Sequence, residues 1–189
     1  MEVTGIILAG GKSSRMGQDK GLIDLNGKPM IHYIIDALKP VTSNIIIIAN
    51  NDEYKSFGYP VYKDIIKEKG PVGGIYTALN QSKTEKNLIL SCDTPFVTKK
   101  LLLHLIKQSN NYDVVVPNYQ GKTHPLIGIY NKSIQSVFKH SLDKNLLKLS
   151  LVNEQTNYKL LNLDTKQFKA SIFKNINTLN DLKNIADEN

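Results

Sequence analysis

The chain has 189 residues, 41% hydrophobic and 22% charged, with a formal net charge of +7 at neutral pH. That length suits one domain with a substantial core and is too short for two large independent ones, and no stretch approaches the roughly 18 apolar residues that span a bilayer. The lone Cys92 excludes an intramolecular disulfide and a multi-cysteine zinc cluster, while lysines scattered without a basic run or interleaved aromatics speak against a nucleic-acid partner.

In chain order, the Ile- and Val-rich run at 3–9 suits a buried strand, cut short by Gly10 and Gly11. With Glu2 before it, the run does not read as a secretory signal, so the cytoplasm is the expected compartment and no membrane partner is expected. Gly10, Gly11 and Gly17 let the following backbone approach an anion, and Lys12, Arg15 and Lys20 supply positive charge, so the stretch reads as a phosphate cradle. Residues 22–25 suggest a short strand, Asn26-Gly27 a turn, and Pro29 the first turn of a helix with Met30, Ile31, Ile34, Ile35 and Leu38 on its apolar face.

The unbroken apolar run at 44–50 marks a strand buried on both faces. A short strand at 61–65 and a helix from about 72 to 82 follow, with Gly73 and Gly74 in the helix's first turn. A further buried strand at 87–92 ends on Asp93-Thr94-Pro95, Thr98 caps a helix at 99–109, and 112–117 gives another strand. Beyond it the pattern predicts a strand at 126–130, helices near 133–140 and 145–151, a strand at 158–163 and a closing helix at 179–186. Buried strands alternating with helices imply an α/β architecture: an open, mostly parallel sheet with helices on both faces. Ligands of such sheets sit beyond the carboxyl ends of the strands, which places the Gly10 loop, Asn50 and Asp93 along one rim.

Spacing narrows the kind of phosphate loop. A Walker loop needs a glycine where this chain has Ile6, and a dinucleotide fingerprint needs one well before Gly17. What remains is Leu8-Ala9-Gly10-Gly11, then Ser13-Ser14-Arg15-Met16-Gly17 and Asp19-Lys20. This stretch resembles the signature of nucleotidyltransferases of the nucleotide-diphospho-sugar transferase fold, and most closely that of the molybdenum cofactor guanylyltransferases. The resemblance continues through Gly27-Lys28-Pro29-Met30, Lys69-Gly70-Pro71-Val72-Gly73-Gly74, Ser91-Cys92-Asp93-Thr94-Pro95, His124-Pro125 and Asn175-Ile176-Asn177-Thr178. Thr123 stands where the family often has an acid, and Leu179 replaces a proline.

The resemblance implies a three-layer α/β/α fold with a Rossmann-like sheet, forming a single domain over 1–189. Its nucleotide part would lie at about 1–117 and its acceptor part at about 118–189. It implies transfer of GMP from GTP to molybdopterin with magnesium as cofactor, and partners among molybdoenzymes and other cofactor-biosynthesis proteins. Leu8, Ala9, Gly10, Gly11, Arg15, Gly17, Lys20, Asn50, Asp64, Gly70, Gly74 and Asp93 would contact the nucleotide. Arg15, Lys20 and Asp93 would be catalytic, with Asp93 holding the metal, and His124, Asn175 and Asn177 would meet the acceptor. Because the attacking phosphate is already anionic, no catalytic base is needed, and His32, His104 and His140 read as packing or surface residues. The rival readings are a nucleotidyltransferase for another base or acceptor, such as a cytidylyl or sugar-phosphate enzyme, and a non-catalytic cofactor carrier.

Overall fold

The computed structural model describes residues 2–10, 19–178 and 181. Its sheet contains eight strands: β1 (Val3–Leu8), β2 (Asn44–Ile48), β3 (Val61–Tyr62), β4 (Lys86–Ser91), β5 (Val114–Tyr119), β6 (Lys122–Thr123), β7 (Ile127–Asn131) and β8 (Tyr158–Asn162). They run in the order β3-β2-β1-β4-β7-β5-β6, and β8 pairs with β5. The pairs β1–β2, β1–β4, β2–β3 and β5–β8 are parallel. Those of β7 with β4 and β5, and the β5–β6 hairpin, are antiparallel.

The helices are α1 (Met30–Leu38), α2 (Gly70–Gln81), α3 (Lys99–Gln108), α4 (Gln135–Asp143) and α5 (Leu149–Asn153). Successive residues of a strand point to opposite faces, so β1 serves two cores. Val3, Ile7 and Ala9 pack with Ile31, Ile34 and Leu38 of α1 and Leu101 and Leu105 of α3. Ile6 and Leu8 pack with Val72, Ile75 and Leu79 of α2, Phe138 of α4 and Val152 of α5. The apolar runs read from the sequence are therefore continuous because each strand is covered on both sides.

Three expectations are corrected. Residues 22–25 form no strand: Lys20–Leu22 is a 3-10 turn, followed by an isolated bridge between Asp24 and Pro29. Ile23 and Leu25 alternate inward, as in a strand, but into a small cluster with Met30 and Ile176. The Asn26-Gly27 turn is present, both residues having positive φ (54° and 79°). The strand expected at 61–65 shortens to Val61–Tyr62, and α2 starts two residues earlier than expected, at Gly70. The helix expected at 179–186 lies outside the described residues, apart from Asp181.

Parallel pairing aligns the carboxyl ends of β1, β2 and β4. The Ala9 amide donates to Ile48 O (2.9 Å), Ala49 to Tyr62 O (3.0 Å) and Cys92 to Leu8 O (3.1 Å). Strand β7 enters the sheet from that same rim, and the Ser91 amide donates to Leu126 O just before it (3.0 Å). At Gly128 a Cβ would stand 2.7 Å from Val116 Cγ1 and 2.8 Å from Val115 O, so only glycine permits this approach of β7 to β5.

Candidate active site

The rim carries two groups of side chains. In the first, the segments after β2 and β3 are tied together: Asn50 Nδ2 donates to Asp64 Oδ2 (2.9 Å), and the Asp64 amide donates to Asn50 Oδ1 (3.2 Å). Thr77 of α2 fixes the next residue, its Oγ1 accepting from the Ile65 amide and donating to Gly73 O, each at 3.0 Å. Asp64 consequently faces α2 and β1. A Cβ on Gly74 would lie 3.5 Å from Leu8 Cδ2 and 3.9 Å from Asp64 Oδ1, and one on Gly10 would lie 4.0 Å from Asp64 Oδ2. Leu8, Gly10, Asn50, Asp64 and Gly74 thus surround one region. Asp64 Oδ1 is buried there without a hydrogen-bond partner among the described residues, an acceptor that a ligand with N–H groups would satisfy. Gly70 opens α2 with φ of +56°, a conformation suited to glycine.

The second group gathers around Lys20. Its ammonium donates to Asn177 Oδ1 (2.7 Å) and stands 3.9 Å from Asp93 Oδ2. The Asp93 main chain is engaged as well, its carbonyl accepting from the Ile176 amide (2.9 Å). Asn177 is held in turn by Asp181, whose Oδ2 accepts from the Asn177 and Thr178 amides (both 2.8 Å). Those amide bonds draw the Asp181 carboxyl below its ordinary pKa. Asp93 Oδ1 is buried and has no hydrogen-bond partner among the described residues. Among the described residues no three His, Cys, Asp or Glu side chains converge as a metal-binding group. A single carboxylate with a free oxygen still fits magnesium, which takes few protein ligands and completes its shell with phosphates and water.

His124 lies on the adjoining side. Its ring stacks on Phe173 with centroids 4.3 Å apart, and Phe173 also stacks on Tyr119 (5.2 Å). Burial, with help from Lys122, holds the imidazole below its ordinary pKa. These rings, with Lys122 and Ser171, line a concavity of about 500 Å³. Asn175 is exposed nearby in sequence. A second concavity of about 490 Å³, lined by Thr4, Thr42, Asn44 and Gln81, contains none of the sequence-predicted site residues.

Gly11, Arg15 and Gly17 lie outside the described residues. Cys92 is buried, and burial together with the adjacent Asp93 carboxylate pushes its thiol pKa far up, which suits packing and not nucleophilic chemistry. The rings of His32 and His104 pack against those of Phe57 and Phe168. Sequence reasoning did not single out Asp19, Tyr54 or Thr77. Thr77 gives no signal beyond a polar residue on an otherwise apolar helix face, whereas Tyr54 could be noticed as an aromatic inside a polar run.

A family model described as a MobA-like NTP transferase domain matches residues 5–156. The chain belongs to that family. It is 41% identical over 182 residues to a Flavobacterium johnsoniae protein named probable molybdenum cofactor guanylyltransferase, covering 95% of this chain and 96% of the relative. It is 36% identical over 180 residues to the molybdenum cofactor guanylyltransferase of Yersinia pestis, covering 93% and 91%. Among solved structures, molybdopterin-guanine dinucleotide biosynthesis protein A from Archaeoglobus fulgidus superposes with a TM-score of 0.82 at 22% identity, covering 98% of this chain and 100% of the other. This MobA-like chain therefore has the nucleotidyltransferase fold that the resemblance of its motifs implied, built on the α/β sheet expected from its alternating strands and helices.

Proposed function

We propose that the protein is a guanylyltransferase that moves GMP from GTP to the terminal phosphate of molybdopterin, forming the guanine dinucleotide and releasing pyrophosphate. The observation that carries this reading is the 41% identity to a relative of that name across 95% of the chain. The rim supplies suitable chemistry. Both substrate contributions fall within one domain, the nucleotide on the residues up to about 117 and the acceptor on those that follow.

In the reaction, a terminal phosphate oxygen of the acceptor attacks the α-phosphorus. The bond from that phosphorus to the oxygen bridging toward the β-phosphate breaks, and pyrophosphate leaves with the electron pair. Positioning and neutralisation of charge supply most of the catalysis in such transfers. Leu8, Ala9, Asn50, Asp64, Gly70 and Gly74 bind base and ribose, with the unpartnered Asp64 oxygen accepting from ligand N–H or O–H groups. The Gly10 and Gly11 backbone, Arg15, Gly17 and Lys20 meet the phosphates, and Lys20 exchanges its Asn177 contact for a phosphate oxygen. Asp93 would hold magnesium, which when bound neutralises charge on the triphosphate. His124, neutral at physiological pH, offers one ring nitrogen as donor and the other as acceptor to the pterin side, and Asn175 and Asn177 supply further amide groups to the acceptor.

The test is incubation of the protein with magnesium, molybdopterin and each of the four nucleoside triphosphates in turn. Dinucleotide and pyrophosphate should form with GTP. Product from CTP alone would overturn the choice of base, and tight binding of GTP without turnover would favour a carrier.

A further inference from the structure

Tyr54 has no place in that mechanism, yet its side chain is completely buried (0% exposed) within the polar 3-10 segment Asp52–Phe57. A buried tyrosine hydroxyl requires a partner. Here it donates to Asp19 Oδ1, 35 positions away. The same hydroxyl also lies against Gly21: a Cβ there would stand 2.5 Å from Tyr54 Oη and 3.1 Å from its Cε1. One tyrosine therefore touches both sequence neighbours of Lys20.

The backbone around Lys20 is pinned correspondingly. Asp19 O accepts from the Leu22 amide (3.0 Å), and Lys20 O accepts from the Ile23 amide (3.2 Å). Burial raises the Asp19 carboxyl pKa, and the Tyr54 hydrogen bond opposes that rise. Tyr54 itself is backed by Phe57, whose ring meets the edge of His32 at 5.0 Å, so the support reaches α1. At the other end of the lysine side chain the ammonium reaches both Asn177 and Asp93.

We infer that Tyr54 is a positioning residue for Lys20: its hydroxyl through Asp19, and its ring through Gly21, fix the backbone from which the ammonium projects toward the phosphates. This rests on the role given to Lys20 above. A displacement of about 1 Å at a charge-stabilising group can cost up to about a hundredfold in rate, so loss of the hydroxyl should appear in kcat more than in KM.

The experiment is a double-mutant cycle on the full chain, with kcat, KM for GTP and thermal unfolding measured for Tyr54→Phe, Lys20→Ala and the pair. Lys20→Ala is expected to lower kcat by roughly a hundred- to a thousandfold. Tyr54→Phe is expected to lower kcat by roughly tenfold or more with KM for GTP within about twofold. The double variant should be no slower than Lys20→Ala alone, because without the ammonium there is nothing left to position. Normal turnover in Lys20→Ala would overturn the role of the lysine itself. A crippled Lys20→Ala beside an unaffected Tyr54→Phe would overturn the positioning role, as would losses that multiply in the pair. Should Tyr54→Phe fail to fold, Asp19→Ala and Asp19→Asn decide the matter: the alanine must reproduce the loss and the asparagine, which still accepts a hydrogen bond, must restore most of it.

Discussion

Lys20 and Asn177, 157 positions apart, are joined by a 2.7 Å hydrogen bond from ammonium to amide oxygen. A residue assigned to the nucleotide thus rests on one assigned to the acceptor, and the occupancy of one side bears on the other. Asn177→Ala is expected to raise KM for molybdopterin by roughly tenfold, the loss typical of one hydrogen bond to a charged group, with a smaller change in KM for GTP. Steady-state kinetics varying each substrate in turn checks this; a larger effect on GTP would move Asn177 to the nucleotide side.

Asp93 supplies a buried oxygen that none of the described residues satisfies. Asp93→Asn preserves its shape and removes its charge. We expect kcat to fall by about a hundredfold or more through loss of metal-assisted charge stabilisation, while cooperative unfolding persists because the backbone bond from Ile176 remains. Calorimetric titration of magnesium in the presence of GTP should show weaker metal binding in the same variant.

Adjacent glycines of α2 should respond oppositely. At Gly74 a Cβ meets only ordinary contacts, whereas at Gly73 it would lie 2.8 Å from Lys69 Cβ and 3.2 Å from Ile66 O. Gly74→Ala should stabilise the fold by about 0.5–1 kcal/mol, as alanine does in helices, yet raise KM for GTP because the methyl group intrudes beside Leu8 and Asp64. Gly73→Ala should destabilise by roughly 1–3 kcal/mol through overpacking. Urea unfolding and GTP kinetics on both variants separate the two effects.

The imidazole of His124 is held below its ordinary pKa of 6.5. The folded state therefore binds that proton less readily than the unfolded chain, and its contribution to stability is complete above pH 6.5 and is lost as pH falls through the lower folded value. His104 is shifted in the same direction, chiefly by burial. Unfolding free energy followed from pH 8 to about 5 should fall less steeply in His124→Gln than in the parent, and less steeply still when His104 is replaced as well.

The sequence disclosed the central strands well, because β1, β2 and β4 are covered on both faces and read as unbroken apolar runs. It did not disclose the direction of β7: Leu126 to Tyr130 has the same apolar pattern whichever way it runs, and pairing is decided by partners elsewhere in the chain. The β5–β6 hairpin went unread although its turn carries a signal, since Gln120 and Gly121 both adopt positive φ (50° and 81°). The motif residues Lys20, Asp93 and Asn177 were visible as separate stretches. Their mutual contacts depend on the Ile176 backbone bond, which no local pattern encodes. Tyr54 and Thr77 act by holding other residues, and such roles have no composition of their own.

The reversed strand β7 has a consequence for how such a fold diversifies. Because it runs back from the rim, the chain between β5 and β7 turns on the side where Asp93 follows β4, and the Gln120-Gly121 turn of the β5–β6 hairpin can lengthen, shorten or change composition without shifting a strand. The half of the sheet built from β1, β2 and β3 is untouched by such changes. If the acceptor lies on this side and the nucleotide on the other, as proposed, an exchangeable segment is thereby attached to an unaltered frame, so that one substrate can be replaced without the other.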